Sequence, residues 1–366
     1  MSQSPSNQSN RGDGTVIRIG IAGAGFISQL AHLPAFSRVK GAKVTALSDA
    51  RPELLDAVGG TFAVGNLFPS VDAMIAGGGI DALVVSLPRR CLGPAVLAGL
   101  EAGLPVLSEK PMAMTLGGAR RLAEAAERSD QPYAVGFMKR HDPGVTLFRQ
   151  RLNEWIESNQ AGAIEHVIAR DFCGGYACEI PSHVRTTEKA AERYPEWPAL
   201  ADGIDVRWRD SYDRTMNVML HDINLLRLLF GDKLEPLSFR ISPQNTQTAV
   251  LAAPTHDVVL HMGRSEMGVW DQTIEVYFER GRLKLILPSP VDRRKNAVME
   301  ETVAGETTVS SPPEDSPWAF FEQAEAFLDH VRNRNLRQIS DGRDCLRDME
   351  IADRLWRLID CPTAKP

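Results

Sequence analysis

The first third of the chain alternates between short apolar runs and segments in which apolar residues recur at helical spacing. Residues 16–22 are apolar and rich in β-branched side chains, which is typical of a strand buried on both faces of a parallel sheet. Further strands are predicted at 43–48, 80–86, 105–108 and 133–137, with helices at 29–39, 52–58, 71–76, 94–102 and 116–128. Strands that alternate with helices imply right-handed crossovers, so we predict a doubly wound parallel sheet within residues 15–138.

The pattern changes in the rest of the chain. A helix is predicted at 145–158 and a strand at 164–172, followed by a stretch without periodicity, 173–213, and a helix at 216–230. Successive strands follow at 236–242, 248–253, 257–262, 273–278 and 283–287, before helices at 318–333 and 345–359. Strands joined by short turns pair antiparallel. Residues 139–366 are therefore predicted to form a second α/β domain with a large, mostly antiparallel open sheet, for substrate binding and oligomerisation.

The length of the chain agrees with two domains, and its composition argues against nucleic-acid-binding and membrane-spanning proteins. The chain has 366 residues, of which 43% are hydrophobic, and a formal net charge of −6. A moderately acidic chain is poorly suited to bind nucleic-acid phosphates, and no apolar run is long enough to span a membrane. Residues 1–14 are rich in Ser, Asn and Gln and lack the apolar segment of a secretory signal. We therefore expect a disordered leader and a cytoplasmic protein.

The cysteines do not indicate a disulfide framework or a metal site. There are five, scattered along the chain: Cys91, Cys173, Cys178, Cys345 and Cys361. An odd number at irregular spacing is unlike a disulfide-stabilised fold. Cys173 and Cys178 lie close together, but no second Cys or His pair at zinc spacing follows them. We expect buried or idle thiols and no metal.

A glycine-rich turn follows the first strand and opens the first helix. Its sequence is Gly23-Ala-Gly25-Phe26-Ile27-Ser28. In such a turn the first glycine allows the tight bend, the second lets a pyrophosphate approach the backbone, and the helix adds unpaired N–H groups. Serine replaces the usual third glycine and is small enough to keep the helix close to the strand. The position matches the dinucleotide fingerprint of Rossmann domains, although an ordinary strand–helix turn can look the same.

Two residues at the end of the second strand bear on the choice of dinucleotide. Asp49 stands where a carboxylate can bind the hydroxyl groups of the adenosine ribose, although an aspartate there can also cap a helix or face solvent. Arg51 can instead accept a 2′-phosphate, because a guanidinium matches phosphate geometry. We expect NAD as the cofactor, with NADP as the alternative.

Further motifs make the chain resemble one family from Val16 to Ile359. They are Ser86-Leu87-Pro88, Glu109-Lys110-Pro111, His32 and Pro34 in the first helix, Gly136-Phe-Met-Lys-Arg140, and His221-Asp-Ile-Asn-Leu-Leu-Arg227. Together with the glycine turn, these motifs resemble those of glucose–fructose oxidoreductase and inositol dehydrogenase, the Gfo/Idh/MocA family.

The resemblance implies a role for each matching residue. Lys110 would lie near the nicotinamide and the reacting carbon–oxygen bond, and His221 would be the catalytic acid or base. The cofactor would contact the glycine turn (Gly23, Gly25, Phe26, Ile27, Ser28) and Asp49, Arg51, Ser86, Leu87, Pro88, Glu109, Lys110 and Arg140. The substrate would contact Lys110, Arg140, Asn217 and His221.

The chain departs from the family pattern beside the histidine. Many members carry aspartate four residues before it, where this chain has Asn217. A helical spacing of four keeps both side chains on one face, so Asn217 still lies beside His221. An asparagine can hydrogen-bond to substrate, but it cannot take a proton.

The chemistry agrees with the expected roles. Oxidation of an alcohol moves a hydride to the nicotinamide and a proton to a side chain, for which histidine is suited near neutral pH. We expect an NAD(P)-dependent dehydrogenase or ketoreductase, a homodimer or homotetramer, acting on a sugar, cyclitol or sugar derivative. Two alternatives stay open: a redox-assisted lyase or glycosidase that retains NAD, and a non-catalytic, NAD-binding regulatory protein of the same fold.

The irregular stretch 173–213 has two interpretations. Its aromatic and arginine side chains enclose a larger or charged substrate, or the stretch is a surface loop or an oligomer contact. These side chains are Tyr176, Tyr194, Trp197, Trp208, Tyr212, Arg185, Arg193, Arg207 and Arg209.

Overall fold

Two sheets organise the chain. A computed structural model describes residues 16–175, 178–190, 194–266, 268–334 and 339–360, so the predicted leader, Tyr176, Arg193 and Cys361 lie outside the described residues. The first sheet is built from β1 (Ile17–Ala22), β2 (Ala42–Ser48), β3 (Asn66–Phe68), β4 (Ala82–Val85), β5 (Val106–Ser108) and β6 (Tyr133–Val135). Within the described residues it has six parallel strands in the order β3-β2-β1-β4-β5-β6. The order reverses between β1 and β4, where open α/β sheets bind ligands.

Helices connect these strands as predicted, with differences at their ends. They are α1 (Leu33–Phe36), α2 (Pro52–Phe62), α3 (Val71–Gly77), α4 (Arg89–Glu101) and α5 (Leu116–Ser129). A wider, π-type turn over Ser28–His32 precedes α1, and Pro34 lies in the first turn of that helix.

The expected start of α4 at Pro94 is wrong. The helix begins five residues earlier, at Arg89, and contains Pro94 in its interior. Proline lacks the N–H that would bond to the carbonyl of Arg90, one turn back. That carbonyl instead accepts a hydrogen bond from the backbone N–H of Trp197, at 2.9 Å. A contact from the distant irregular stretch therefore satisfies the carbonyl that the proline leaves unpaired.

The second domain surrounds a larger sheet. Its helices are α6 (Pro143–Ser158), α7 (Arg209–Arg214), α8 (Leu220–Phe230), α9 (Ala319–Arg332) and α10 (Gly342–Arg357). Its strands are β7 (Ile164–Cys173), β8 (Glu235–Ile241), β9 (Gln247–Ala252), β10 (Asp257–Gly263), β11 (Trp270–Phe278), β12 (Gly281–Leu287), β13 (Val298–Val303), β14 (Glu306–Ser310) and β15 (Ile359–Asp360). In the part of the chain that the structure describes, the sheet order is β14-β13-β12-β11-β7-β10-β9-β8-β15.

The pairing confirms the predicted fold class. Neighbouring strands of this sheet run antiparallel except for two parallel pairs, β7 with β10 and β8 with β15. The sequence analysis missed β3, β13, β14 and β15. β3 and β15 are very short, and β14 is an exposed edge strand of polar residues that lacks an alternating apolar face. The last predicted helix ends at Arg357, and Ile359 belongs to β15.

Helix α9 and the residue before α10 pack back onto the first domain. Phe327 of α9 is buried against Phe36 of α1, with ring centroids 6.5 Å apart. Asp341, just before α10, forms a bridge with Ala134 of β6. These contacts fix the two sheets relative to each other, with a cavity between them. No helix within the described residues combines the length and apolar character needed to cross a membrane.

Candidate active site

A cavity of about 1220 Å³ lies between the two domains, at the carboxyl ends of the first sheet's strands. Most of the predicted site residues line it: Gly23, Gly25, Phe26, Ile27, Asp49, Arg51, Ser86, Leu87, Pro88, Glu109, Lys110, Asn217 and His221. Ser28 and Arg140 are not among its lining residues.

The glycine turn has the shape that a dinucleotide requires. Gly23 has a φ of +100°, and an added Cβ there would lie 2.2 Å from the carbonyl oxygen of Ser86. An added Cβ at Gly25 would have no atom within 4 Å, so open space lies above the second glycine. This is where a pyrophosphate can approach the backbone. Ser28 lies behind the turn, fully buried, where its small side chain allows the close helix–strand packing that we expected.

Asp49 is held rigidly beside this turn. Its Oδ2 accepts hydrogen bonds from the backbone N–H of Ala24 (2.9 Å) and from Nη2 of Arg51 (2.7 Å). Its Oδ1 accepts from the backbone N–H and Nε of Arg51, at 3.0 and 2.8 Å. Asp49 is only 1% exposed. The guanidinium of Arg51 therefore covers the carboxylate that we expect to bind the ribose.

Glu109 is oriented by a residue from the first helix. Nε2 of His32 donates to Oε1 of Glu109 at 2.9 Å, and His32 is buried. The backbone N–H of Glu109 donates to the carbonyl of Val85 at 2.8 Å. The peptide bond between Lys110 and Pro111 is cis. The sequence predicted no role for His32 beyond its place in a motif, whereas the structure shows that it orients Glu109.

Lys110 reaches across the cavity to the second domain. Its Nζ donates to both the backbone carbonyl and Oδ1 of Asn217, at 2.7 and 2.9 Å. Asn217 lies in a π-type turn, Thr215–Met219, which leads into α8 and widens the local backbone. Burial lowers the pKa of Lys110 to about 8, with Glu109 acting in the opposite direction. Asn217 therefore positions the lysine side chain.

His221 lies one turn farther along, near the start of α8. Its ring packs edge-on against Phe137, with centroids 5.8 Å apart. Its Nδ1 is buried and has no hydrogen-bond partner among the described residues. Burial, followed by the positive charges of Lys110 and Lys139, keeps the pKa of His221 well below its ordinary value. The imidazole is therefore neutral near pH 7 and able to accept a proton.

A group of buried polar residues that was not predicted from the sequence lies beside the histidine. Nζ of Lys139 donates to Oε1 of Gln272 at 2.5 Å, and Nε2 of Gln272 donates to Oδ1 of Asp222 at 2.7 Å. Burial and the neighbouring carboxyl group of Asp171 raise the pKa of Asp222 to about 8. Two adjacent buried carboxyl groups cannot both ionise easily, so this pair holds a proton near neutral pH. Asp171 and Lys139 line the cavity.

The structure directs Arg140 away from the cavity. Its Nε donates to Oδ1 of Asn224 and its Nη1 to Oδ2 of Asp344, both at 2.6 Å. The neighbouring residue, Lys139, faces the cavity instead, because successive residues of the 3-10 turn Met138–His141 point in different directions. The geometry therefore does not favour the expected contact of Arg140 with nicotinamide or substrate.

The aromatic residues of the irregular stretch mostly serve packing. The hydroxyl of Tyr212 donates to the carbonyl of Met114 at 2.5 Å, and the ring packs against Trp356. Trp208 also packs on Trp356, while Trp197 lies against Gly93 of α4.

The described arginines of this stretch, Arg185, Arg207 and Arg209, are exposed, and none of them lines the cavity. Tyr194 does line it.

The remaining sequence expectations concern thiols and metals. Cys91, Cys173, Cys178 and Cys345 are unpaired thiols. The described residues contain no group of three or more His, Cys, Asp or Glu side chains placed to hold a metal ion.

Comparisons with known proteins agree with this geometry. Residues 17–137 match a family model described as "Oxidoreductase family, NAD-binding Rossmann fold". An inositol 2-dehydrogenase from Acidothermus cellulolyticus is 26% identical over 299 residues, covering 79% of this chain and 78% of that protein.

Two solved structures share the fold across both domains. A 3-ketoreductase from Actinomadura kijaniata, in complex with NADP and TDP-benzene, has a TM-score of 0.73 and 19% identity, covering 94% of this chain and 98% of that one. An oxidoreductase from Agrobacterium radiobacter, in complex with NAD+, L-tartaric acid and magnesium, has a TM-score of 0.68 and 18% identity, covering 94% and 96% of the two chains.

The match to an NAD-binding family model confirms the expectation of a nicotinamide dinucleotide as cofactor, and the choice between NAD and NADP stays open. The glycine turn, the Glu-Lys-Pro motif and the two-domain fold all lie within the matched regions. Residues 17–137 thus form an NAD-binding Rossmann domain of the Gfo/Idh/MocA oxidoreductase family, and the fold of both domains is similar to that of the two solved oxidoreductases.

Proposed function

We propose that this protein is an NAD(P)-dependent dehydrogenase or ketoreductase that transfers a hydride between nicotinamide and an oxygen-bearing carbon of a sugar, cyclitol or sugar derivative. The observation that carries the proposal is that Lys110, Asn217 and His221 meet in the cavity that also contains the glycine turn. The names of the relatives, inositol 2-dehydrogenase and 3-ketoreductase, support oxidation or reduction at a carbon–oxygen bond.

The side chains supply the proton chemistry. Nicotinamide bound in this cavity would accept or donate the hydride. His221 lines the cavity and is neutral, so it can accept the proton from the substrate hydroxyl. An ammonium has three N–H groups, and two from Lys110 are held by Asn217. The third can point to the substrate oxygen and stabilise the negative charge that develops there.

The walls of the cavity suit a polyhydroxylated ring. Asp171 and Asn217 offer hydrogen-bond acceptors, and Lys139 offers donors. Sugar and cyclitol hydroxyl groups both donate and accept, so they can satisfy all three side chains. The indole of Trp270 lines the same cavity and provides an aromatic surface for the apolar face of such a ring.

A redox-assisted lyase or glycosidase is the second candidate. The observation in its favour is the Asp171–Asp222 pair, because a carboxyl group that stays protonated can donate a proton to a leaving group. Such an enzyme regenerates its cofactor in every cycle. Turnover without net change in NADH absorbance, by protein that retains its dinucleotide, would favour this candidate over the first. A non-catalytic regulatory protein is disfavoured by the assembled lysine and histidine.

Replacement of Lys110 tests the proposal. Turnover should be measured for wild type and Lys110→Ala with a panel of sugars and cyclitols and with both NAD and NADP. Loss of the charge at the reacting oxygen should reduce kcat by about 100- to 1000-fold. NADH binding, followed by fluorescence, should change little.

The matched control is Lys233→Ala, which removes an exposed lysine outside the cavity and should keep wild-type turnover. Undiminished turnover in Lys110→Ala would reject the assigned role of Lys110. Absence of turnover in the wild type over the whole panel would count against the proposed substrate class.

The oligomeric state and the cytoplasmic location stay predictions. One feature supports self-association: β14 is an edge strand of the second sheet, and Val309 in it is 67% exposed. An edge strand presents unpaired backbone groups to which another strand can add. Light scattering coupled to size-exclusion chromatography would distinguish a monomer from the expected dimer or tetramer.

A further inference from the structure

A segment of the second domain lies across the dinucleotide-binding face of the first. We call it the strap and define it as the described residues 178–190 and 194–205. Its Val184 exchanges two hydrogen bonds with the side chain of Gln29, at 2.8 and 3.2 Å. The ring of His183 packs edge-on against Phe26 of the glycine turn, with centroids 5.1 Å apart. The strap is therefore bonded to the element that we expect to hold the pyrophosphate.

The strap also contacts the turn between β2 and α2. The carboxylate of Glu188 accepts hydrogen bonds from the backbone N–H groups of Glu53 and Leu54, at 3.2 and 3.0 Å. The hydroxyl of Tyr194 accepts from the backbone N–H of Ala50 at 2.8 Å. Both Glu188 and Tyr194 line the cavity. The free amides at the start of α2 are thus occupied by an anion that the chain itself provides.

This position matters for the choice between NAD and NADP. Asp49 ends β2, where the ribose hydroxyls of the adenosine bind, and a 2′-phosphate on that ribose would extend toward the adjoining turn. The amides of a helix N-terminus and a nearby arginine are the groups that bind such a phosphate. Here the amides are bonded to Glu188, and the guanidinium of Arg51 is bonded to Asp49. A 2′-phosphate would meet two carboxylates and find both of its usual partners engaged.

We propose that Glu188 is a specificity-determining residue that selects NAD over NADP by filling, with its own carboxylate, the amide site that a 2′-phosphate needs. The inference rests on the proposed dinucleotide-dependent function and assigns the strap a part in it. The negative charge that excludes a 2′-phosphate belongs to the second domain. Glu188 lies 135 residues beyond Glu53, whose amide it contacts.

The test compares the binding of NADH and NADPH to the full chain. Glu188→Gln removes the charge and keeps one acceptor oxygen for two amides, so that one of the amides is released for a 2′-phosphate. Dissociation constants for both nucleotides should be measured from nicotinamide fluorescence. Removal of the repulsive charge should tighten NADPH binding by about 10- to 100-fold, with little change for NADH.

Glu196→Gln is the matched control, because Glu196 is also in the strap but pairs with Arg90, at 3.0 Å, and does not line the cavity. It should keep the wild-type ratio of the two dissociation constants. If Glu188→Gln does not fold, Glu188→Ser offers a second neutral side chain, which is too short to occupy the amides at the start of α2.

The possible results separate this inference from the proposed function. Wild-type protein that binds NADPH as tightly as NADH would overturn the role of Glu188 and leave the dinucleotide-dependent function intact. An unchanged ratio in both neutral variants would do the same. Wild-type protein that binds neither nucleotide would overturn the cofactor assignment together with the inference.

Discussion

At the turn end of the cavity, defined by Gly23, Gly25 and Asp49, the carboxylate is fully paired within the chain, whereas at the reaction end, defined by Lys110 and His221, the imidazole keeps a ring nitrogen without a partner. The carboxylate of Asp49 accepts four hydrogen bonds. Nδ1 of His221 has no partner among the described residues, although it is buried. Hydrogen bonds fix the shape of the turn end, whereas the reaction end contains side chains that can exchange a proton with a substrate.

The two ends of the cavity differ in what their buried polar groups cost in folding free energy. Backbone geometry builds the turn end, and the satisfied hydrogen bonds there cost little free energy. The reaction end buries Lys110, His221 and Asp222, whose pKa values are displaced by burial, an arrangement that is unfavourable for folding and typical of catalytic sites. We therefore expect substitutions at the two ends to separate binding from turnover.

The largest effect should come from His221→Gln. Glutamine is polar and uncharged, but it cannot take the proton from the substrate. We expect kcat to fall by about 100- to 10,000-fold, since general-base catalysis contributes that much, while NADH binding stays close to that of wild type. Steady-state kinetics and a fluorescence titration would measure the two quantities.

The control for this substitution is His166→Gln, which changes a histidine of β7 that does not line the cavity. It should leave turnover unchanged. Equal loss of NADH binding and turnover in His221→Gln would mean that the two ends of the cavity are not separable.

A smaller but complementary effect is expected from Gly23→Ala. The backbone at Gly23 has a φ of +100°, and the new methyl group would meet the carbonyl oxygen of Ser86 at 2.2 Å. The strain and the clash should weaken NADH binding by about 10- to 100-fold. The matched control is Gly60→Ala, because an added Cβ there meets no atom within 4 Å and Gly60 lies in the interior of α2. Wild-type NADH affinity in Gly23→Ala would contradict the expected role of the turn.

The smallest expected effect concerns stability at the reaction end. The pKa of Asp222 is raised to about 8 in the folded protein, above its unfolded value, so between these values the folded state binds more protons than the unfolded state. The free energy of unfolding therefore loses this group's contribution as the pH rises toward 8. A shift from pH 5.5 to pH 8 should lower the free energy of unfolding of Asp222→Asn by less than it lowers that of wild type. Urea denaturation at the two pH values would measure the difference.

Asp202→Asn, which alters an exposed carboxyl group, serves as the control and should follow the wild-type pH dependence. Parallel pH curves for wild type and Asp222→Asn would show that the Asp171–Asp222 pair does not hold a proton in the folded state.

The same contrast explains how far the sequence could predict the structure. The turn end depends on neighbours in the sequence: a strand, two glycines and an aspartate that ends the next strand. The Glu-Lys-Pro motif and the histidine helix carry similar local signals, and the structure brings Lys110 and His221 to one cavity.

The missed features depend on contacts between distant residues. Lys139, Asp171, Asp222 and Gln272 come from four separate elements, and none has a partner close in the sequence. What marks these residues as a group is their burial, which is determined by the packing of the folded chain and cannot be seen in the sequence. Arg140 was expected in the cavity because its motif includes it, but the 3-10 turn Met138–His141 directs Lys139 into the cavity instead.

The role of the strap is the feature that sequence patterns were least able to predict. The stretch has no periodicity, and its role depends on where Glu188 and Tyr194 meet a turn formed more than a hundred residues earlier. Pro94 gives a second example, because its helix continues through the proline with a backbone contact from the strap residue Trp197.

Titration of wild type, Gly23→Ala and His221→Gln with NADH, with turnover assayed on the same samples, shows whether the turn end binds the dinucleotide and the reaction end performs the chemistry. We predict that Gly23→Ala loses NADH affinity and that His221→Gln binds NADH like wild type but does not turn over. Wild-type affinity in Gly23→Ala together with normal turnover in His221→Gln would contradict this prediction.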